Sequence, residues 1–269
     1  MDSRRTTAMS RAAYLRSLRR DRALIWAGRV LLLLALIALW EGATRAGAID
    51  PFIFSSPGRI LRTVAQMAHG GELYRHIWVT LWETCLGFAL GTGLGVATAV
   101  VLWWFPRAAK VADPYLVILN SLPKIALGPV VIVWMGTGMR AIVSIAVLVS
   151  VFVSITSVLT GFQSVSGEKL MLMRAFGAGK WQMLRMVVLP ANVPTMVSAL
   201  KLSVGMSWVG TIVGEFLISR AGLGYLIVYG GQVFKLDIVM SSVVILCTLA
   251  GAMYGAVALF ERRVTRRGR

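Results

Sequence analysis

Long apolar runs separated by short polar segments dominate the chain. A transmembrane helix needs about 20 mostly apolar residues, and the sequence contains six runs of roughly that length. They cover residues 26–46, 77–105, 115–135, 141–162, 193–218 and 238–260, each to within a few positions. The pattern predicts an all-α fold, a polytopic membrane helix bundle with about six transmembrane helices.

Composition supports a membrane location. The 269 residues are 57% hydrophobic and 14% charged, whereas soluble domains carry about 25% charged residues. The first run follows a basic segment, as the apolar part of a signal peptide does. No small-residue cleavage pattern follows it at the right distance, so we interpret it as a retained span.

The net charge of +17 is unevenly distributed. Basic residues concentrate in the tails, 1–25 and 262–269, and in the segments that follow the second and fourth runs. With six spans these four regions share one side, which predicts cytoplasmic termini. The charges do not form a basic stripe interleaved with aromatic residues, which disfavours nucleic-acid binding. We therefore expect a transmembrane domain over 26–261, with a polar amphipathic segment at 167–190.

Glycine, proline and acidic residues mark particular places in the spans. Glycines four residues apart, at 87, 91 and 95, 210 and 214, and 251 and 255, predict close helix packing. Pro123 and Pro129 predict a kinked or short third helix, and broken helices are typical of a solute pathway. Glu215 is a candidate gating residue or a structural hydrogen-bond partner, and Glu83 is expected at the membrane interface.

Catalytic and metal-binding patterns are missing from the sequence. Gly177-Ala178-Gly179-Lys180 precedes a tryptophan and lacks the upstream glycine of a phosphate-binding loop. Neither a zinc-protease motif nor paired carboxylates are evident. His69 and His76 have no third ligand, and Cys85 and Cys247 are expected to be buried thiols without a disulfide. The sequence indicates a protein that is not an enzyme and binds no cofactor itself.

The segment 174–190 is too polar to span a membrane and too apolar for a free loop. Phe176, Trp181, Leu184 and the Val187–Val188 pair follow a rough helical spacing between basic residues. Pro190 is expected to end the element. The pattern predicts a short helix at the cytoplasmic membrane surface.

The same segment resembles a family signature. Gly177, nine further residues, then Val187, one residue and Leu189-Pro190 are similar to the cytoplasmic "EAA" signature of permeases of binding-protein-dependent ABC importers. The residues that resemble the signature or its flanks are Arg174, Ala175, Gly177, Ala178, Lys180, Trp181, Val187, Leu189 and Pro190. Methionine and leucine, at 171–173, replace the acidic start of the signature.

Further similarities extend over about 55–263. They include Ser56-Pro57, Gly87-Phe88, Asp113-Pro114, Leu122-Pro123, Leu127-Gly128-Pro129, Trp134-x-Gly136-x-Gly138, Glu215 and Gly222-Leu223-Gly224. The chain looks closest to permeases for aliphatic sulfonates, taurine and nitrate. Glu83 departs from this family, in which arginine is expected.

The resemblance implies a type I ABC importer-like permease of the bacterial inner membrane. It implies a coupling helix at 174–190 that docks on a cytoplasmic ATPase dimer, with ATP-Mg bound by that partner. A second permease copy or a paralogue would complete the path, and an extracytoplasmic solute-binding protein would deliver a small solute. The alternative is an ion-coupled secondary transporter or channel, which the scarcity of ionisable residues in the spans disfavours.

Overall fold

The structure, a computed structural model, describes residues 11–267. It divides into two compact units, one ending at Arg62 and one beginning at Thr63. Residues 1–10 and 268–269, which belong to the two predicted basic tails, lie outside the described residues. Every regular element in the described part of the chain is a helix, which confirms the predicted all-α class.

The first unit is built on one long helix. Helix α1, Arg11–Arg45, contains a membrane-length apolar stretch from Ala23 to Arg45 whose side chains are largely exposed. Lipid is the natural solvent for such a surface. A one-turn helix α2, Pro51–Phe54, follows, and helix α3, Pro57–His69, begins in this unit. Glu41 joins α1 to α3 by accepting the backbone N–H of Gly58 at 3.0 Å.

Three long helices form the centre of the second unit. They are α4, Glu72–Trp104, α7, Met139–Gln163, and α10, Leu189–Ile218. Helix α7 packs against both α4 and α10. Two further helices, α11, Leu223–Gln232, and α12, Leu236–Arg267, pack against each other and against α10. The buried apolar side chains lie mainly along α7 and where α4 and α10 meet it.

The predicted third span is broken. Helix α5, Pro106–Ser121, ends before Pro123, and a short 3₁₀ turn, Lys124–Leu127, leads into helix α6, Gly128–Met135. The two halves are bent by 87°. Proline fixes its own φ and has no N–H to donate, so the chain leaves the helix at this point. The expected kink is confirmed, although α5 begins nine residues before the predicted start.

The number of spans depends on that bend. Five described helices are long and apolar enough to cross a membrane, and the bent pair makes six if it counts as one span. The multi-span prediction is therefore confirmed. The prediction of buried cysteines is wrong, because Cys85 and Cys247 are free and exposed on the outer faces of α4 and α12. In lipid an apolar outer face needs no burial.

Glycines set the close contact of the central helices. A Cβ atom at Gly87 would lie 2.5 Å from the Ala146 Cβ, and one at Gly210 would lie 2.5 Å from the Ala146 Cα. Close packing through these glycines is thus confirmed on both sides of α7. At Gly251 and Gly255 the prediction is wrong for this chain, since no neighbouring atom lies within 4 Å of an added Cβ.

Candidate functional site

The segment around Gly177 forms a helix–turn–helix at one end of the second unit. Helix α8, Gly167–Ala175, is closed by two backbone hydrogen bonds, from Gly177 N–H to the Arg174 carbonyl at 2.9 Å and from Ala178 N–H to the Met173 carbonyl at 3.0 Å. This is the Schellman arrangement, which needs a left-handed residue at the position after the cap. Gly177 supplies it with φ +77°.

A second helix starts immediately after the turn. Helix α9, Lys180–Met183, opens with the Gln182 side-chain oxygen accepting the Gly179 N–H at 2.8 Å. A π turn, Leu184–Val188, joins α9 to α10 without a break, so one apolar helical stretch runs from Lys180 to Ile218. The prediction that Pro190 ends the element is wrong. Pro190 lies inside the continuous stretch directly after the π turn, and the irregular hydrogen bonding of that turn accommodates a residue without an N–H.

The side chains of this segment differ in burial. Leu184 and Val188 are buried with Phe162 and Leu102, which anchors the segment to the ends of α7 and α4. Phe176 is 80% exposed and Trp181 60% exposed, although the Trp181 ring lies 6.5 Å from the Trp104 ring of α4. Met171 and Leu172, which replace the acidic start of the signature, are exposed as well. The segment therefore presents an apolar surface, which we call the docking surface, defined by Met171, Leu172, Phe176 and Trp181.

The other residues of the predicted coupling site surround the docking surface. Arg174, Ala175, Gly177, Lys180 and Pro190 are exposed, and Ala178, Val187 and Leu189 are half-buried. A cavity of about 530 Å³ lies behind the segment, lined in part by Trp103, Lys110, Arg174 and Lys180. The structure thus brings the predicted coupling residues together at one end of α10.

The predicted pathway residues do not form one site. Pro123 and Pro129 lie at the bend between α5 and α6 and are exposed. Glu215 lies near the opposite end of α10 from the docking surface, 1% exposed. A pathway role for the two prolines remains a prediction.

Glu215 holds three parts of the unit together. Its Oε1 accepts the Thr80 hydroxyl of α4 at 2.7 Å, and its Oε2 accepts the Gly224 N–H of α11 at 2.5 Å. The Thr80 oxygen also accepts the Leu223 N–H at 2.8 Å. An added Cβ at Gly222 would lie 2.3 Å from the Glu215 carboxylate, so the glycine allows this close approach. The hydrogen bonds confirm a structural role for Glu215 and leave gating open.

Two further members of this cluster were not recognised from the sequence. Glu83 is 3% exposed rather than interfacial, and its carboxyl lies within hydrogen-bonding reach of Glu215. His76 is buried, and its Nδ1 accepts the Gly222 N–H at 2.9 Å. The sequence shows no motif of paired carboxylates, and the fold brings Glu83 and Glu215 together from different helices. The seven-residue spacing from His76 to Glu83, two helical turns on one face, was the signal available.

Metal-binding groups do not cluster in the described part of the chain. No set of three histidine, cysteine or acidic side chains there has metal-site geometry. The described part of the chain has two candidate sites, the docking surface and the polar cluster around Glu215. They lie at opposite ends of α10.

Known proteins resemble the chain over most of its length. A family model described as "Binding-protein-dependent transport system inner membrane component" matches residues 91–266. A "Probable ABC transporter permease protein" of Haemophilus influenzae is 29% identical over 222 residues, which are 82% of this chain and 90% of the relative.

Two other relatives are named for different solutes. The "Putative aliphatic sulfonates transport permease protein SsuC" of Bacillus subtilis is 26% identical, over 89% of this chain and 87% of its own length. The "Riboflavin transport system permease protein RibX" of Chloroflexus aurantiacus is 25% identical, over 87% of each chain.

The fold also matches a solved structure. A chain of the MetNI methionine ABC transporter, in an inward-facing conformation, superposes with a TM-score of 0.66 at 20% identity. The match covers 73% of this chain and 98% of that chain. At this identity the likeness shows a shared helix arrangement.

Proposed function

The chain belongs to the binding-protein-dependent transport system inner membrane component family, and on that premise we propose that its docking surface receives the ATPase subunit of an importer. The chain is a non-catalytic permease subunit, and ATP hydrolysis takes place on a separate subunit. The observation that carries the proposal is the exposure of Phe176 and Trp181 on a segment that Leu184 and Val188 anchor in the bundle. Large exposed aromatic side chains are typical centres of protein interfaces.

Continuity of the helix explains how docking reaches the membrane. Residues Lys180–Ile218 form 39 residues of uninterrupted helical backbone, which spans roughly 50–60 Å at the α-helical rise. A movement of the ATPase at Trp181 would therefore tilt or shift the whole of α10. At its far end α10 is bound through Glu215 to α4 and α11. The arrangement suits a two-state bundle that is driven from one end.

The remaining partners follow from the same proposal. A cytoplasmic ATPase dimer, with ATP-Mg in its own sites, would contact two permease chains, this one and a second copy or paralogue. An extracytoplasmic solute-binding protein would approach the end that carries Glu215. We therefore propose that the docking surface and the two termini face the cytoplasm.

A pull-down tests the docking surface. The cognate ATPase is captured in detergent with wild type, with the Phe176→Ala/Trp181→Ala double variant, and with Trp134→Ala. Trp134 is the matched control because it is 76% exposed but lies on α6. We expect capture by wild type and by the control and at least a tenfold loss for the double variant. Equal capture by all three would refute docking on this surface.

For the solute we propose a small oxyanion of the sulfonate, taurine or nitrate class. Support comes from the relative named for aliphatic sulfonates and from a groove of about 370 Å³ along α7. This groove is lined by hydroxyl groups and carries no charge, with Thr156, Ser157, Thr160, Ser164 and Thr195 on its wall. The hydroxyls of Thr156 and Ser164 donate to carbonyls of their own helix. Ser157, Thr160 and Thr195 would donate to an anionic oxygen, without the cost of burying a second charge.

Uptake into proteoliposomes tests the solute and the energy source together. Permease, ATPase and binding protein are reconstituted, and radiolabelled taurine, ethanesulfonate, nitrate and riboflavin are supplied in turn. The proposal expects ATP-dependent uptake of one of the three anions. Uptake of riboflavin alone would overturn the solute class. Uptake driven by an ion gradient without ATP would instead support the secondary transporter.

A further inference from the structure

A cavity of about 410 Å³ is lined in part by Glu83. It lies where the end of α10 meets the start of α7 and the first half of α4. Its walls include Val79, Glu83, Gly138, Ile142, Ser219 and Arg220. Glu83 is 3% exposed, and its Oε2 has no hydrogen-bond partner. A buried carboxyl oxygen without a partner is costlier when the carboxyl is charged than when it is neutral.

Glu215, the neighbouring carboxyl, is supplied with donors on both oxygens. Thr80 donates to its Oε1 and Gly224 to its Oε2. Such donors stabilise a charged carboxylate. Glu83 lies within hydrogen-bonding reach of this carboxylate. Two negative charges at contact distance in a water-poor interior repel strongly, so a pair of this kind keeps one proton.

We propose that Glu83 and Glu215 form a proton-binding site, with one proton held between them, and that this proton locks α4 to α10 and α11. Glu83 carries the proton and donates it towards Glu215, which remains the acceptor. The protonated pair leaves the Thr80–Leu223 and His76–Gly222 hydrogen bonds undisturbed. Loss of the proton places two charges in contact, drives the Glu83 carboxylate into the cavity beside Arg220, and loosens those bonds.

Other ionisable groups lie on the elements that pack around the pair. Helix α4 contributes His76, and its Nδ1 is unprotonated because it accepts the Gly222 N–H. Helix α11 contributes Tyr225, which stacks on His76 at 5.9 Å. Arg220 enters from the α10–α11 loop, and α12 carries Asp237 in its first turn. Helix α7 faces the cavity with the apolar Met139 and Ile142, and α6 has no ionisable residue.

The direction of the pH effect follows from proton counting. In the unfolded chain both carboxyls are ionised above about pH 5. The folded chain keeps one proton more, so raising the pH weakens the folded state until the pair itself ionises. The proposal concerns this chain alone and does not depend on which solute it carries.

The variant Glu83→Gln distinguishes a titrating proton from a simple hydrogen bond. Glutamine can donate a hydrogen bond to Glu215, but it does not ionise. The full chain in detergent is heated between about pH 5 and about pH 9, a range above ordinary carboxyl titration. We expect the unfolding midpoint of wild type to fall by several degrees as the pH rises, and that of Glu83→Gln to fall much less. The control Glu72→Gln, exposed on the same helix, should follow wild type. Equal slopes in all three proteins would overturn the proposal.

Two measurements on wild type keep the test independent of how well the variant folds. A hydrophobic carbodiimide reacts with protonated carboxyls, so mass spectrometry should find Glu83 or Glu215 labelled at the lower pH and at least tenfold less at the higher pH. The infrared difference spectrum should show the same loss of a protonated carboxyl band, equally in sodium and choline buffers. Absence of both signals would overturn the site. A band removed by sodium would assign it to a metal cation and also contradict the proposal.

Discussion

Thr80 and Glu215, 135 residues apart in the chain, are joined by a hydrogen bond of 2.7 Å between buried atoms. The same Thr80 oxygen accepts the Leu223 N–H at 2.8 Å. One hydroxyl therefore links α4, α10 and α11 at the end of α10 that lies far from the docking surface. A movement that separates α4 from α10 at this end must break the Thr80–Glu215 bond, and one that also separates α4 from α11 must break both.

Thr80→Val should destabilise the chain by about 2–4 kcal/mol. Valine has the same shape but leaves the Glu215 Oε1 and the Leu223 N–H without this partner, and each unsatisfied buried group costs about 1–3 kcal/mol. Thermal unfolding in detergent measures the change. Thr156→Val is the matched control, because its hydroxyl bonds only to carbonyls of its own helix. A Thr80→Val protein as stable as the control would show that these bonds contribute little.

Two glycines of α10 should respond in opposite directions to alanine. In a helix alanine is favoured over glycine by about 1 kcal/mol, and Gly205 has no neighbouring atom within 4 Å of an added Cβ. Gly205→Ala should therefore be neutral or stabilising. At Gly210 the new Cβ would lie 2.5 Å from the Ala146 Cα, and overpacking against backbone costs about 1–3 kcal/mol. Unfolding midpoints that move together would contradict the proposed α7–α10 contact.

Gly177→Ala should weaken the turn before α9. The left-handed φ of +77° costs a residue with a Cβ about 1–2 kcal/mol. We expect a clear loss of ATP-dependent uptake with only a small fall in the unfolding midpoint. The reason is that the strain lies in the turn that positions the docking surface. Gly179→Ala is the control, since its φ of −72° suits any residue. Equal uptake by the two variants would argue against a special role for the Gly177 turn.

Lys201 and Glu261 form an ion pair between α10 and α12, and Lys201 also lies over the Tyr254 ring at 5.9 Å. Because both side chains are partly exposed, Lys201→Met should cost only about 1–2 kcal/mol, less than for a fully buried pair. Adding Glu261→Met should recover part of the loss, since no unpaired charge then remains. A double-mutant cycle by thermal unfolding measures the coupling. Strict additivity would show that the two charges act independently.

Much of the architecture was accessible from the amino-acid order. The apolar runs, the bend at Pro123 and the close contacts at Gly87 and Gly210 depend on local chemistry, namely length, a missing N–H and a missing side chain. The turn at Gly177 is local as well. For these features the sequence alone determined both the element and its place in the chain, because the physical cause lies within a few residues of the effect.

Tertiary structure decided the rest. No spacing along the chain shows that Glu83 faces Glu215, because the two lie on different helices and meet only when α4 and α10 pack. Glu83, which was expected at the membrane interface, is buried between these helices. Pro190 was likewise expected to end a helix but lies within one. The π turn before it, anchored by Leu184 and Val188, accommodates the hydrogen bond that proline cannot donate. Burial and partners between distant segments are properties of the packed bundle, and local sequence chemistry does not contain them.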